Sequence, residues 1–342
     1  MKPLVSVITI TYNHAPFISQ CIEGILAQKT TFPFELVIGE DCSTDGTHEI
    51  VMDYSKKYPE IIQVATSESN VGSRANSIRA HRASQGEYTA SCEGDDYWID
   101  PLKLQKQYEA SIKYDAVLVT HANFALFYQD GKITSESKIR RARNESGFLD
   151  LADIITGKAL FHTSSFFLHT TMLKNMPDWL RQTPVGDLPL KVIAACSGNI
   201  YYIDEIMSVY RKGTSGSYTD RKLKSVVRKD GWPTNHEKNF IQKYSNIEKD
   251  FMRMYLNIDK YTKYQYTDAI KQTIIGRLIF YFETFGNLDF LPSVGLQKKT
   301  FKLKADLVRL LPSALRIRIL RKIVARQIMG YLQGPESTLL ID

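Results

Sequence analysis

Short apolar runs alternate with amphipathic segments through the first 120 residues of the chain. The run from Val5 to Thr11 is rich in β-branched residues, which favour buried strands. Similar runs follow at 34–39, 61–66, 88–92 and 116–120, with helical periodicity between them. Repeated strand–helix units form a mostly parallel sheet with helices on both faces. The alternation therefore predicts an α/β, Rossmann-like fold.

Polar clusters directly follow the first four predicted strands. They are Thr11-Tyr12-Asn13, Glu40-Asp41, Ser67–Gly72 and Glu93–Asp96. Ligands of parallel sheets bind outside the carboxyl ends of the strands, so these clusters predict one shared binding site. The sequence has no Gly-x-Gly-x-x-Gly after the first strand and no Gly-x-x-x-x-Gly-Lys. These absences argue against a dinucleotide oxidoreductase and a P-loop enzyme.

The cluster Glu93-Gly94-Asp95-Asp96 places three carboxylates within four residues. Such carboxylates repel one another unless a cation lies between them. Hard divalent cations are held by few carboxylates and complete their shell with phosphate oxygens. The cluster therefore predicts a Mn²⁺ or Mg²⁺ site that bridges the protein to a nucleotide diphosphate. The alternative is a solvated acidic turn.

The histidines and cysteines do not add to this site in the sequence. His121, His162, His169 and His236 lack metal-ligand spacing, and His162 is interpreted as a core histidine that could face the site. The four cysteines are scattered without disulfide or metal-binding spacing, which is typical of a reduced cytoplasm.

The second half of the chain changes in composition. From about residue 235, aromatic and apolar residues recur at helical spacing, which predicts helices that pack on one another. The most apolar stretch, residues 273–291, is interrupted by three charged residues, so no membrane span is expected. We therefore predict an α/β domain over residues 1–215, a helical extension over 216–297 and a separate tail over 298–342.

The net charge of +7 belongs to the tail. Ten Lys or Arg lie between residues 298 and 330, opposed only by Asp306. Two amphipathic helices broken at Pro312 would suit the surface of an anionic membrane. The alternative is a helix packed on the body with its charges solvated. Because the predicted site is acidic, we expect no nucleic-acid partner.

The strand-end motifs together resemble those of a known enzyme family. The matching segments are Val5–Asn13, Glu40–Thr47, Asn70–Gly72, Glu93–Asp96, Gly186–Leu190 and Met207–Arg211. In order and spacing they resemble a family 2 glycosyltransferase with the A-type (GT-A) nucleotide-sugar-binding fold, of the bacterial polysaccharide type. The resemblance covers about residues 4 to 215 and implies that residues 1–215 form the catalytic domain.

The resemblance also implies roles for individual residues. Asp41 would accept a hydrogen bond from the nucleobase, and Thr11 and Tyr12 would form the wall of the base pocket. The set for nucleotide-sugar binding adds Asn13, Asn70, Glu93 and Gly94 to Thr11, Tyr12 and Asp41. Arg211 could place a cation near the diphosphate or end a strand at a surface turn. Asn76 and Arg79 lie one helical turn apart on one face of the helix after Gly72, where they could contact the donor or be solvated. Asp95 and Asp96 would bind the metal. Glu40 and Glu93 stand where the family more often has Asp, which leaves the ribose contact less secure than the metal contact.

Asp187 matches the position of the family's catalytic base. An Asp at this place in a sequence is otherwise a common helix N-cap, and both roles are compatible. The implied reaction is an inverting, metal-dependent transfer from a nucleotide-sugar, a UDP-sugar, to a saccharide or lipid-linked saccharide. It would take place in the cytoplasm, at the cytoplasmic face of the inner membrane. The alternatives are a nucleotidyltransferase, which would need a basic Gly-rich triphosphate loop that is absent here, and a non-catalytic nucleotide-binding protein.

Overall fold

The structure, a computed structural model, describes residues 2–129, 132–134, 137–174, 176–214 and 238–285. These residues fall into two units. The first lies within residues 1–176 and 193–223, and the second within 177–192 and 224–342. The predicted basic tail, residues 298–342, lies outside the described residues, as does the start of the predicted helical extension.

The predicted alternation is confirmed in the first part of the chain. Its elements are β1 (Val5–Thr11), α1 (Ile18–Leu26), β2 (Phe34–Glu40), α2 (Thr47–Lys57), β3 (Ile62–Ala65), α3 (Ser73–Ala83), β4 (Tyr88–Ser91), β5 (Tyr97–Trp98) and α4 (Lys103–Lys113). The short strand β5 was not predicted. It lies directly after the acidic cluster and adds an antiparallel partner at the far end of the sheet.

Longer strands and shorter helices make up the rest. They are β6 (Ala116–Gln129), β7 (Lys132–Ile133), β8 (Lys138–Arg140), β9 (Gly147–Phe148), α5 (Leu151–Thr156), β10 (Phe167–His169), α6 (Thr171–Lys174), α7 (Asp187–Ser197), β11 (Asn199–Lys212), α8 (Lys238–Tyr261) and α9 (Thr267–Phe285). A 3-10 turn, Thr163–Ser165, precedes β10. Strand β6 continues nine residues beyond the predicted end at Thr120.

The sheet is mostly parallel, as predicted. Its strands lie in the order β3-β2-β1-β4-β10-β6-β11-β5. Strands β3, β2, β1, β4, β6 and β11 run in one direction, and β10 is inserted antiparallel between β4 and β6. Thr11 is paired with Glu40, so the loops after β1 and β2 leave the sheet at the same level. This register brings the polar clusters to one edge.

The apolar face of α1 packs against one side of this sheet. Ile18, Ile22 and Ile25, spaced as a helical stripe, are fully buried with Val7 and Leu36 in one core. Gly24 lies on the same helix, and a Cβ there would approach the backbone oxygen of Trp98 to 2.6 Å. The glycine thus permits the close packing of α1 on β5.

The described helices of the second unit pack as the sequence predicts. Phe251, Tyr255, Ile274 and Leu278 are buried on α8 and α9. The guanidinium of Arg277 donates two hydrogen bonds to Glu248, at 2.9 and 2.7 Å. Among the described residues, no helix has the length and apolar character needed to cross a membrane.

Candidate active site

The acidic cluster forms a tight loop between β4 and β5. The Gly94 N–H donates to the Ile10 carbonyl at 3.0 Å, and the Asp96 N–H donates to the Glu93 carbonyl at 2.9 Å. A Cβ on Gly94 would lie 2.6 Å from the hydroxyl of Thr11. Glycine is therefore required where the loop crosses the end of β1. The backbone turn directs Asp95 and Asp96 inward, where both are buried.

The two aspartates are held by groups on and just after β11. The Arg211 backbone N–H donates to Asp96 Oδ1 at 2.8 Å. The Thr214 hydroxyl donates to Asp95 Oδ2 at 3.1 Å. Asp96 Oδ2 is buried without a hydrogen-bond partner among the described residues. The loop thus leaves one buried carboxylate oxygen open to a further ligand. Without such a ligand, burial of this oxygen lowers the stability of the fold.

Burial of Asp96 raises the pKa of its carboxyl well above the usual value of 3.8. The negative charges of Asp95 and Glu93 raise this pKa further, and the hydrogen bond from Arg211 opposes them. A nearby cation would stabilise the ionised carboxyl of Asp96 and so offset the effects of burial and of the neighbouring charges. The chemistry of the loop therefore fits the divalent ion that the sequence predicts.

His162 joins this loop from the other side of the site. One ligand atom from each of Glu93, Asp96 and His162 lies within 4.8 Å of the others, which could hold a metal ion. Asp95, predicted as a ligand, is not part of this group, and its metal role stays a prediction. The sequence did not predict His162 as a metal ligand, because 66 residues separate it from Asp96.

The side chain of Arg211 lies behind the acidic loop. Its Nη1 donates to the Asp95 carbonyl at 2.7 Å, and its Nη2 donates to Gln20. The guanidinium also lies over the rings of Phe17 and Tyr97, at 4.9 and 4.4 Å. Arg211 is 5% exposed. These contacts stabilise the loop, and a direct contact of Arg211 with a nucleotide-sugar stays a prediction.

Asp41, at the end of β2, is also buried but has donors around it. Its Oδ1 accepts from the Val71 N–H at 3.0 Å, and its Oδ2 accepts from the Gly72 N–H at 2.9 Å. Arg79 lies 3.5 Å from Oδ1. These contacts hold the loop after β3 against the end of β2. Each carboxylate oxygen keeps a second lone pair for a further donor.

Asn76 and Arg79 make contacts within the protein. The buried Asn76 donates to the Gly39 carbonyl at 2.7 Å. Arg79 Nη2 donates to the Glu40 carbonyl at 3.0 Å and to Asn76 Oδ1 at 2.7 Å. The exposed Asn70 accepts from the Gly72 N–H at 3.1 Å. These bonds tie α3 to β2 at the edge of the site, and the donor contacts of all three residues stay predictions.

Side chains also bridge the loops after β1 and β2. The Asn13 N–H donates to the Ser43 hydroxyl at 3.0 Å, and Asn13 Oδ1 accepts from the Thr44 N–H at 2.9 Å. Asn13 has a φ of 55°, which Asn tolerates better than most residues. Thr11 is buried and contacts His14 at 3.2 Å, whereas Tyr12 is half-buried. The turn that carries the predicted wall of the base pocket, Thr11 and Tyr12, is therefore held in place by hydrogen bonds to the loop after β2.

Glu40 has a role within the protein that the sequence did not reveal. Its carboxylate accepts from the Ser43 N–H at 2.8 Å and lies 2.9 Å from His48 Nδ1. Burial alone would raise its pKa, but the hydrogen bonds from Ser43 and His48 outweigh burial and lower the pKa below 4.5. The longer side chain thus binds the loop after β2, which gives a physical reason for Glu at this position.

Trp98, two residues after the acidic cluster, is 3% exposed and belongs to the core. Its indole N–H donates to the Ser164 carbonyl at 3.1 Å. The ammonium of Lys103 lies over the indole ring at 3.8 Å and donates to Gln107 at 2.6 Å. Burial lowers the pKa of Lys103 to about 7. Through the hydrogen bond from Trp98 to Ser164, this buried network holds the 3-10 turn at 163–165 in place.

Asp187 lies at the start of α7, within the second unit. Its side chain is 43% exposed, and its Oδ2 lies 3.3 Å from the ammonium of Lys191 one turn later. Lys191 is itself buried, and burial lowers its pKa despite the attraction of Asp187. A half-exposed carboxylate at a helix start is accessible to a substrate, and its role as a base stays a prediction.

Comparison with known proteins shows a similarity over the first half of the chain. Residues 6–168 match the family described as Glycosyl transferase family 2. An uncharacterized protein of Mycobacterium tuberculosis is 32% identical over 230 residues, which are 64% of this chain and 62% of that protein. This chain thus spans less than two thirds of that relative.

Two solved structures share the fold. Residues 1–349 of TarS of S. aureus, in complex with UDP-GlcNAc, have a TM-score of 0.55 at 20% identity, covering 95% of this chain and 87% of that TarS fragment. The mannosyltransferase PcManGT of Pyrobaculum calidifontis, in complex with GDP-Man and Mn²⁺, has a TM-score of 0.50 at 15% identity, covering 98% of this chain and 89% of PcManGT. Residues 6–168 of this chain thus resemble glycosyl transferase family 2, and the chain has the GT-A type fold.

Proposed function

We propose that this chain transfers a sugar from a UDP-sugar to a saccharide acceptor, with inversion at the anomeric carbon and with Mn²⁺ or Mg²⁺ as cofactor. The observation that carries the proposal is the meeting of Glu93, Asp96 and His162 within 4.8 Å at the site edge of a family 2 domain. The complex of TarS with UDP-GlcNAc supports the choice of a UDP-sugar, and the complex of PcManGT with GDP-Man and Mn²⁺ supports a nucleotide-sugar donor with a divalent ion.

The residues of the first unit would bind the donor. The carboxylates of Glu93, Asp95 and Asp96 would hold the cation, which would neutralise charge on the leaving diphosphate. Asp41 would accept the imide N–H of the base through a lone pair that Val71 and Gly72 leave free. Its side chain is 2% exposed in this structure, so we expect the loop after β3 to shift when a nucleotide binds.

Asp187 would accept the proton of the acceptor hydroxyl as that oxygen attacks the anomeric carbon. A single displacement of this kind inverts the anomeric configuration. Other carboxylates are less suited: Asp204 accepts from Tyr202 and Arg141, both at 2.8 Å, and Glu205 pairs with Lys106 at 2.5 Å. Asp187 is paired only loosely by comparison, at 3.3 Å from Lys191.

Asp187→Asn tests the proposal. Asn caps helices nearly as well as Asp but does not accept the proton. With a panel of UDP-sugars, Mn²⁺ and saccharide acceptors, we expect transfer to fall by about 10²–10⁴-fold while donor affinity and melting temperature change little. Asp178→Asn is the matched control, because Asp178 is 96% exposed in the same unit. Near-native turnover of Asp187→Asn would exclude Asp187 as the base.

The released products separate the rival functions. A glycosyltransferase releases UDP and gives a product whose anomeric configuration, read by NMR, is opposite to that of the donor. A nucleotidyltransferase would release pyrophosphate from a nucleoside triphosphate. A non-catalytic nucleotide-binding protein would release neither product. Retention of configuration would contradict the single displacement.

The acceptor and the cellular location belong to the same proposal. We infer a lipid-linked saccharide acceptor at the cytoplasmic face of the inner membrane, with the basic tail on the anionic surface. Removal of residues 298–342, which lie outside the described residues, should shift the protein off anionic liposomes and leave nucleotide binding unchanged. Equal partitioning of the full-length and shortened chains would count against the membrane role.

A further inference from the structure

We propose that His162 is a nitrogen ligand of the divalent cation and that it favours Mn²⁺ over Mg²⁺ at this site. The inference rests on the proposed function, which places a cation at the acidic loop. It adds a ligand from outside the acidic motif, 66 residues further along the chain. His162 contributes one of the three ligand atoms that lie within 4.8 Å of one another, together with Glu93 and Asp96.

The first argument comes from the atoms that face each other. His162 Nδ1 lies 3.5 Å from Asp96 Oδ2, the buried oxygen without a hydrogen-bond partner among the described residues. The same Nδ1 accepts from the Ser164 N–H at 3.4 Å, as an N-cap of the turn. In that tautomer Nδ1 and Asp96 Oδ2 are both acceptors, and a cation at Nδ1 would take its one lone pair in place of the long contact with the Ser164 N–H. Two acceptors at this distance repel unless a proton or a cation lies between them.

The second argument is that the imidazole is held in place by its surroundings. Tyr210 stacks on the ring, with the centroids 3.5 Å apart and an interplanar angle of 28°. Below the turn, Trp98 donates to the Ser164 carbonyl at 3.1 Å, and Gln107 donates to the Ser165 carbonyl at 2.8 Å. The stacked ring and the supported turn therefore fix the orientation of the imidazole beside the acidic loop.

The ligand type bears on which cation is bound. Mg²⁺ prefers oxygen ligands and retains several waters, whereas imidazole suits transition metals better. A site in which an imidazole joins the carboxylates therefore favours Mn²⁺ over Mg²⁺. The competing explanation for the geometry is a simple imidazolium–carboxylate pair between His162 and Asp96, with no nitrogen on the metal.

Pulsed EPR of bound Mn²⁺ distinguishes these explanations directly. The full chain is loaded with Mn²⁺ and UDP, and electron spin echo modulation is recorded with natural and with ¹⁵N-histidine protein. We expect a directly bound ¹⁴N signal that changes to ¹⁵N on labelling and is lost in His162→Asn. Asn retains the N-cap, so the turn should keep its fold. The matched control is His169→Asn, because His169 contacts Thr171 and Glu87 away from the loop.

Calorimetry gives an independent measurement on the same variants. We expect His162→Asn to weaken Mn²⁺ binding by at least tenfold and Mg²⁺ binding by much less, while His169→Asn changes neither. Mn²⁺ that binds with UDP but shows no histidine nitrogen signal would overturn the inference and leave the proposed function standing. Failure of Mn²⁺ to bind at all, with or without UDP, would overturn the inference together with the metal dependence of the proposed function.

Discussion

Buried carboxylates follow two strands of the same sheet, and their surroundings differ. Asp41, after β2, accepts from two backbone N–H groups, at 3.0 and 2.9 Å. Asp96, after β4, has one oxygen bonded by Arg211 and one without a hydrogen-bond partner in the part of the chain that the structure describes. Each oxygen of the first carboxylate accepts one hydrogen bond from the protein, and these bonds hold the loop after β3. The second has capacity left for a ligand from outside, and this difference is the basis for our proposed division into a nucleobase side at Asp41 and a metal side at Asp96.

The largest expected effect is on the metal side. Asp96→Asn should lower transfer by about 10²–10³-fold, because charge on the leaving group would lose its stabilisation. The free variant should be at least as stable as the native protein, since a poorly satisfied buried carboxyl is removed. Melting curves with and without Mn²⁺ and UDP check this, because a ligand that binds only the native state raises its stability. If Asp96→Asn kept the full Mn²⁺-dependent rise in melting temperature, Asp96 would not be a metal ligand and the proposed difference between Asp96 and Asp41 would be wrong.

Asp41→Ala should have the opposite profile. Loss of the carboxylate leaves the Val71 and Gly72 N–H groups without their acceptor, which should lower the free energy of unfolding by about 2–3 kcal/mol. Binding of Mn²⁺ by the free protein should stay near native. Urea unfolding and Mn²⁺ calorimetry measure the two effects, and Asp41→Asn is the milder control because it keeps one acceptor oxygen. Unchanged stability of Asp41→Ala would show that the loops are held by other groups.

A third carboxylate, Glu40, predicts how the stability of the protein depends on pH. Its pKa is lowered below 4.5 in the folded protein, so its contribution to stability is present above pH 4.5 and is lost as the pH falls through the lowered pKa. Glu40→Gln should therefore cost about 1 kcal/mol near pH 7 and flatten the loss of stability on the acid side. The free energy of unfolding measured between pH 3 and 7 tests this. An equal loss of that free energy with falling pH in Glu40→Gln and in the native protein would contradict it.

The smallest expected effect comes from a single hydroxyl. Thr214→Val keeps the shape of the side chain but removes the 3.1 Å hydrogen bond to Asp95. We expect a loss of about 1 kcal/mol in stability and a small change in Mn²⁺ affinity. Chemical unfolding and calorimetry check both values. A loss of Mn²⁺ binding as large as that of Asp96→Asn would show that Thr214 positions Asp95 as an essential ligand.

The sequence predicted the parallel core well because local patterns encode it. The β-branched runs and helical stripes between residues 5 and 114 each carry their own periodicity. By contrast, β10 and β5 are two or three residues long and are defined by partners far along the chain. A pattern read in sequence order does not contain those pairings, nor does it show that β6 continues to Gln129 beside β11.

For the site as well, the sequence predicted local features better than contacts between distant parts of the chain. The acidic loop and Asp41 were identified by their positions at strand ends, which the structure confirms. Spacing on a helix placed Asn76 and Arg79 on one face but did not show that the face points to Gly39 and Glu40. His162 looked like a core histidine because its neighbours at the site come from β4 and β11. Such long-range contacts appear only in the folded chain.

Crystals of the full chain grown with Mn²⁺ and UDP would test the central claim most directly, through anomalous diffraction at the manganese edge. The account predicts one strong peak beside the acidic loop, within bonding distance of Glu93 or Asp96 and of His162, with the UDP diphosphate on its open side. No peak should lie at Asp41. A peak at Asp41, or a bound UDP with no manganese at the acidic loop, would contradict the division of the site into a nucleobase side and a metal side.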